Sequence, residues 1–225
     1  MNSIAAPKAV QISPEQGWIL RPARRDVVVS LRWAYFLTFL FLAVYLGCNW
    51  ITSQRSGLYR LWFDWELGIP FVPAMVWAYL SLFVTFFLPM FALREAALNV
   101  LCKRLALAVI ASGLLFLLLP ARLGFERPEE VPAAFRLIYL FDLPHNLVPS
   151  LHVAWSALIL GSLRAVSPPW IRRILEAWFF FLCASTVLVH QHHLLDLLGG
   201  LLVALGASYA LRGSGIWVWP RGTSR

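Results

Sequence analysis

Six long apolar runs constrain this chain more than any other feature. One of them, "RLALAVIASGLLFLLLPA" from Arg104 to Ala121, carries no charge beyond its first residue. About 20 apolar residues of helix cross the hydrocarbon core of a bilayer. In lipid every backbone N–H and C=O must be satisfied within the protein, which leaves helices and closed barrels. The runs are continuous rather than alternating, so a barrel is excluded. The expected architecture is all-α, a polytopic membrane protein with six transmembrane helices in one bundle near 33–51, 69–90, 104–121, 148–166, 171–190 and 193–211.

Composition supports the same class. Of 225 residues, 60% are hydrophobic and 13% charged, with mean hydropathy +0.71. A soluble domain carries about 25% charged residues. The organisation read from the runs is a cytoplasmic segment 1–32, a six-helix membrane domain 33–211 and a cytoplasmic tail 212–225. Residues 1–30 are polar and basic, so the first run is expected to act as an uncleaved anchor. Cys48, Cys102 and Cys183 lie far apart, without metal or disulfide spacing.

Net charge is +8, yet the basic residues form no continuous patch, so no nucleic-acid partner is expected. Their distribution is a topology signal instead. An even number of spans puts both termini on one side. Fourteen of the 19 Lys and Arg then fall on that side: Lys8, Arg21, Arg24, Arg25, Arg32, Arg94, Lys103, Arg104, Arg164, Arg172, Arg173, Arg212, Arg221 and Arg225. Arg55, Arg60, Arg122, Arg127 and Arg136 fall on the other. The positive-inside rule makes the richer side cytoplasmic. The excess of arginine over lysine points to a bacterial cell membrane, with the opposite face outside. On that face the loop 122–147 is the longest, with Glu126, Glu129, Glu130 and Asp142. Its "AAFRLIYLF" is too short to span and is expected to be an interfacial or re-entrant helix.

Ionisable groups at membrane depth are costly and raise a functional hypothesis. Here they collect in "PARLGFERPEE" (Pro120 to Glu130), "PSLH" (Pro149 to His152) and "VHQHHLLDLLGG" (Val189 to Gly200). The topology places all three at the outer face. His192 and Asp196 are four residues apart, hence neighbours on one helical face, and a carboxylate there fixes the imidazole tautomer. His190 and His193 read as interfacial histidines. Pro149 suits a helix start and Ser150 an N-cap, where free N–H groups favour an anion. His152 in the first turn can donate a proton. Arg122 and Arg127 match phosphate oxygens bidentately or pair with nearby glutamates. Gly199 and Gly200 permit close helix approach. No cluster suited to a divalent metal is present in the sequence, and no cofactor is expected. The set suits phosphoryl transfer through a phosphohistidine.

These segments resemble the type 2 phosphatidic acid phosphatase superfamily, whose pattern is Lys-x6-Arg-Pro, Pro-Ser-x-His and Ser-Arg-x5-His-x3-Asp. Pro149, Ser150, Leu151 and His152 match the second motif; Ser185, His192 and Asp196 match the third, with Thr186 in place of its arginine. Arg127-Pro128 matches the first, but Pro120 occupies the lysine position, and Arg122 or Arg136 is left to substitute. "NLVPSLHVAWS", "HQHHLLDLLGG" and "IPFVPAMVWAYLSLF" look closer to the branch with inositol-phosphorylceramide synthases. The resemblance implies a metal-independent lipid phosphatase. In it His192 attacks phosphorus, Asp196 orients it, His152 protonates the leaving alkoxide, and Ser150, Arg127 and Arg122 hold phosphoryl oxygens. A lipid headgroup phosphotransferase is the alternative. The partners implied are a lipid phosphate and membrane lipids. A proton-coupled transporter and an inactive relative serving as a scaffold are the remaining readings.

Overall fold

The computed structural model describes residues 19–128, 131–141 and 145–212. Lys8, Glu129, Glu130, Asp142, Arg221 and Arg225 lie outside them. The architecture is all-helical, and the only β feature among the described residues is a single bridge between Tyr59 and Ala121. The helices are α1 (Arg24–Ser53), α2 (Val76–Leu80), α3 (Leu82–Thr85), α4 (Pro89–Ala92), α5 (Glu95–Leu118), α6 (Ala133–Phe141), α7 (Leu151–Val166), α8 (Pro169–Leu188) and α9 (Leu194–Ala210). α1 and α5 are long and apolar enough to cross a membrane; α7 and α9 are apolar but shorter.

α5 is the central helix, and α1, α7 and α9 pack on it. Ala108, Val109 and Phe116 of α5 are fully buried, alongside Ile159 and Leu163 of α7. The outward faces stay apolar, with Phe39, Trp50, Leu114, Phe180, Phe181 and Leu202 exposed. An exterior of that kind fits a lipid environment better than water.

Polar side chains tie the helices together. Trp33 Nε1 donates to Asn99 Oδ1 at 2.8 Å, Trp155 Nε1 to the Leu105 carbonyl at 3.2 Å, and Trp178 Nε1 to Ser81 Oγ at 2.8 Å. Arg104, within the buried face of α5, donates to the Leu211 carbonyl beyond α9 at 3.4 Å.

The run 69–90, expected as one span, is a broken helix. A 3-10 turn (Pro73–Met75) leads into α2, and α3 and α4 follow with helical backbone at Ser81 and Phe86 between them. The cause is local. Ser81 Oγ and Thr85 Oγ1 each bond the carbonyl three residues back, at 2.6 and 2.7 Å, in competition with the backbone ladder. Pro89 also has no N–H for the carbonyl four residues before it. "AAFRLIYLF" does form a helix, α6. It buries Phe135 and Ile138 against Val76, Tyr79 and Val189.

Where α1 and α5 begin, Asp26 serves both. Its carboxylate accepts the Ala23 N–H and the Glu95 N–H, each at 3.0 Å, and pairs with Arg94 at 2.9 Å. Asp26→Ala would uncap two helix starts and remove the carboxylate partner of Arg94. The expected cost is about 1–3 kcal/mol, seen as a lower thermal midpoint in detergent, with Asp26→Asn intermediate.

Candidate functional site

The site grows from two helix starts brought to one level. α8 ends at Leu188, and the chain turns through His190, whose φ of 56° is left-handed. The Thr186 carbonyl accepts the N–H groups of Gln191 and His192, both at 3.0 Å, so the end of α8 sets the position of His192. α9 then starts at Leu194 with His193 as its N-cap residue. Asp196 reaches back: its Oδ2 accepts the His193 N–H at 2.9 Å and lies 3.1 Å from His192 Nδ1. With Nδ1 directed at the carboxylate, Nε2 is the ring nitrogen left for chemistry. His192 is 5% and Asp196 1% exposed.

α7 starts beside it. The Ser150 N–H donates to the Asp196 carbonyl at 2.9 Å, and Ser150 Oγ caps α7 by accepting the Val153 N–H at 3.4 Å. His152, in the first turn, faces His192 with ring centroids 6.5 Å apart. Tyr79 of α2 stacks on His152 at 4.0 Å. Two glycines make this approach possible. A Cβ on Gly200 would stand 2.5 Å from the Ser150 carbonyl oxygen, and one on Gly199 would stand 3.1 Å from Pro149.

Four of the six expected site residues, Ser150, His152, His192 and Asp196, therefore lie in one cluster. The arginines sit on aromatic rings. Arg122, exposed, lies over Trp62 at 5.8 Å, and Trp62 in turn stacks on His193 at 5.2 Å. Arg127 lies over Tyr139 at 4.5 Å. Burial, and then the Arg127 charge, hold the His145 imidazole below its usual pKa. Arg136 is exposed on α6. Pro120, at the family's lysine position, uses its carbonyl to accept the Tyr59 N–H at 2.7 Å. Among the described residues no three His, Cys, Asp or Glu side chains converge as metal ligands.

His193 differs from its reading as an interfacial residue. It is 1% exposed and 3.2 Å from Glu66, a residue that spacing could not connect to it across 127 positions. Tyr79 was equally invisible as a partner of His152.

Residues 139–210, from the end of α6 through α9, match the PAP2 superfamily model. Over that segment the chain is similar to the PAP2 superfamily. No curated protein and no solved structure matches it. The PAP2 segment holds Ser150, His152, His192 and Asp196, while Arg122, Arg127 and Glu66 precede it.

Gly200→Ala must push α7 from α9 against backbone, and it is expected to cost about 1–3 kcal/mol. Gly206, also in α9, has open space at its Cβ. Gly206→Ala is therefore expected to be neutral or stabilising. Paired thermal melts of the two variants check the contrast.

Proposed function

We propose that this protein is an integral membrane enzyme that cleaves a lipid phosphate monoester or diphosphate through a phosphohistidine on His192. Similarity to the PAP2 superfamily over residues 139–210 points to phosphatase-type activity. The observation that carries the finer reading is the convergence of His152 on the His192–Asp196 pair, from a separate helix, with ring centroids 6.5 Å apart. The reading requires a phosphoryl group held between the two imidazoles, with reacting atoms about 3–3.5 Å from each partner.

In this reading Nε2 of His192 bonds to phosphorus as the bond to the lipid alkoxide breaks. His152 delivers a proton to that alkoxide. Asp196 holds the Nδ1 proton and stabilises the ring as positive charge develops. Ser150 keeps its hydroxyl proton for a phosphoryl oxygen, at a helix start whose dipole favours anions. Arg127 and Arg122 supply positive charge at the rim. Water then attacks the phosphohistidine, gives its proton to His152 and releases phosphate.

The six apolar segments are read as spans, both termini cytoplasmic, with the site near the outer face and α6 along the interface. α7 and α9 are 16 and 17 residues long. At 1.5 Å per residue they reach about 24–26 Å, slightly less than a 30 Å core, which suits a site set just below the interface.

Transfer to a second lipid's hydroxyl is the alternative. The burial of His192 and Asp196 favours it, because a water-poor centre suits an alcohol acceptor.

The test offers the purified protein a short-chain labelled phosphatidic acid, with and without an alcohol acceptor. The expected results are an acid-labile phosphoenzyme mapped to His192, its loss in His192→Ala, and a drop in kcat of about 10²–10⁴ in Asp196→Asn. Phosphate release without alcohol indicates hydrolysis; turnover only with alcohol indicates transfer. Inertness toward every phosphoester, with His192→Ala indistinguishable from wild type, would reject both.

A further inference from the structure

A second carboxylate–imidazole pair stands directly behind the first. Glu66, in the 3-10 turn Asp64–Gly68, is 0% exposed and His193 1%. Glu66 Oε1 accepts the Phe63 N–H at 2.9 Å, and Oε2 accepts the Leu194 N–H at 2.9 Å. The same Oε2 lies 3.2 Å from His193 Nδ1. On the far side of the ring, the Gly124 N–H donates to His193 Nε2 at 3.1 Å.

That last bond decides the tautomer. A backbone N–H is received only by a ring nitrogen with a lone pair, so Nε2 carries no proton. The ring proton is therefore on Nδ1 and is donated to Glu66. Both nitrogens of His193 are engaged, which leaves it no part as a nucleophile. Its ring is also clamped by stacking, with Phe125 at 4.4 Å and Trp62 at 5.2 Å.

What His193 does reach is Asp196. Its backbone N–H donates to Asp196 Oδ2, the oxygen that faces His192 Nδ1. Glu66 thus fixes residues 193 and 194 through one side-chain bond and one backbone bond, and residue 193 fixes the carboxylate that aims His192.

We propose that Glu66 and His193 are a positioning pair for the His192–Asp196 dyad, with Glu66 anchoring the start of α9 from outside the PAP2 segment. The inference rests on His192 as the nucleophile. Positioning partners of this sort typically change activity by about 10- to 100-fold, by analogy with the outer-shell partners of metal ligands.

Kinetics on the full chain with short-chain phosphatidic acid, and ¹⁵N NMR of histidine-labelled protein in detergent, test it together. Glu66→Gln keeps one acceptor oxygen but sets an NH2 against a donor. His193→Asn keeps an N–H for Glu66 and loses the acceptor for Gly124. Each is expected to lower kcat about 10-fold or more with KM within about twofold. The double variant is expected to lose no more than the worse single one, as for residues acting as a unit. In wild type, His193 is expected as the neutral Nδ1–H tautomer, and Glu66→Gln is expected to shift the ring signals of His192. A proton on Nε2 of His193 in wild type overturns the proposal even if the variants fail to fold. Unchanged kcat, or losses that simply multiply, would do the same. If wild type turns over no phosphoester, the functional reading falls, and the His193 tautomer and His192 signals still judge the pair.

Discussion

Asp196 is the point on which the arrangement of the site depends. Its carboxylate takes the His193 N–H and faces Nδ1 of His192, while its own carbonyl takes the Ser150 N–H. One residue therefore orders the side chain of its own turn and pins the first turn of α7 to the first turn of α9. Gly200, one turn further along α9, lets the Ser150 carbonyl approach the helix surface. Were the two helices to part, the same movement would break the Ser150 bond and separate the two imidazoles. Burial at 1% exposure makes that bond set costly to disturb, because a carboxylate stripped of its donors in an apolar setting has no water to replace them.

The elements outside α7 and α9 act as walls that hold these two starts. α2 brings Tyr79 onto His152, and Val72 reaches the Leu188 carbonyl at 2.8 Å, so the broken helix is tied to the end of α8. The segments around Trp62 and Phe125 close the opposite side. There His190, Phe125, His193 and Trp62 form a column of rings, with neighbouring planes within 18° of each other. Tyr59 and Arg122 exchange backbone hydrogen bonds with the facing strand of loop, at 2.7 and 3.1 Å, and zip the two walls together. Stacked rings and hydrogen-bonded backbone surround the histidines.

Much of this was legible from apolar length and spacing. Five of the six expected spans coincide with a single helix each, because a run of 16 or more apolar residues leaves the backbone few alternatives to helix. The His192–Asp196 contact followed from the four-residue spacing, and the Ser150 cap from its place before an apolar run. The break in 69–90 was legible only in part: Pro73 and Pro89 mark it in the sequence, whereas Ser81 and Thr85 weaken a helix only if their hydroxyls turn to the carbonyls behind them. Glu66 was not legible either. It pairs with His193 through tertiary packing of two loops, and nothing in a local window distinguishes it from Asp64, which is exposed and paired with Arg60.

The two positions that depart from the family pattern acquire a physical sense from the backbone. Thr186 stands where the motif has arginine, and its carbonyl receives Gln191 and His192; Pro120 stands where the motif has lysine, and its carbonyl receives Tyr59. At both, the main chain performs a structural task that a side chain does not supply, so loss of the basic group need not loosen the framework. The two arginines expected near the site are instead held on rings, Arg122 over Trp62 and Arg127 over Tyr139. A guanidinium over an aromatic face spends its flat surface on the ring and directs its N–H edge outward, the geometry in which it meets a phosphate. Arg122 lies over Trp62, and Trp62 stacks on His193, so the ring beneath that charge is also the ring that steadies the start of α9. Charge placement and dyad placement thus share one piece of structure.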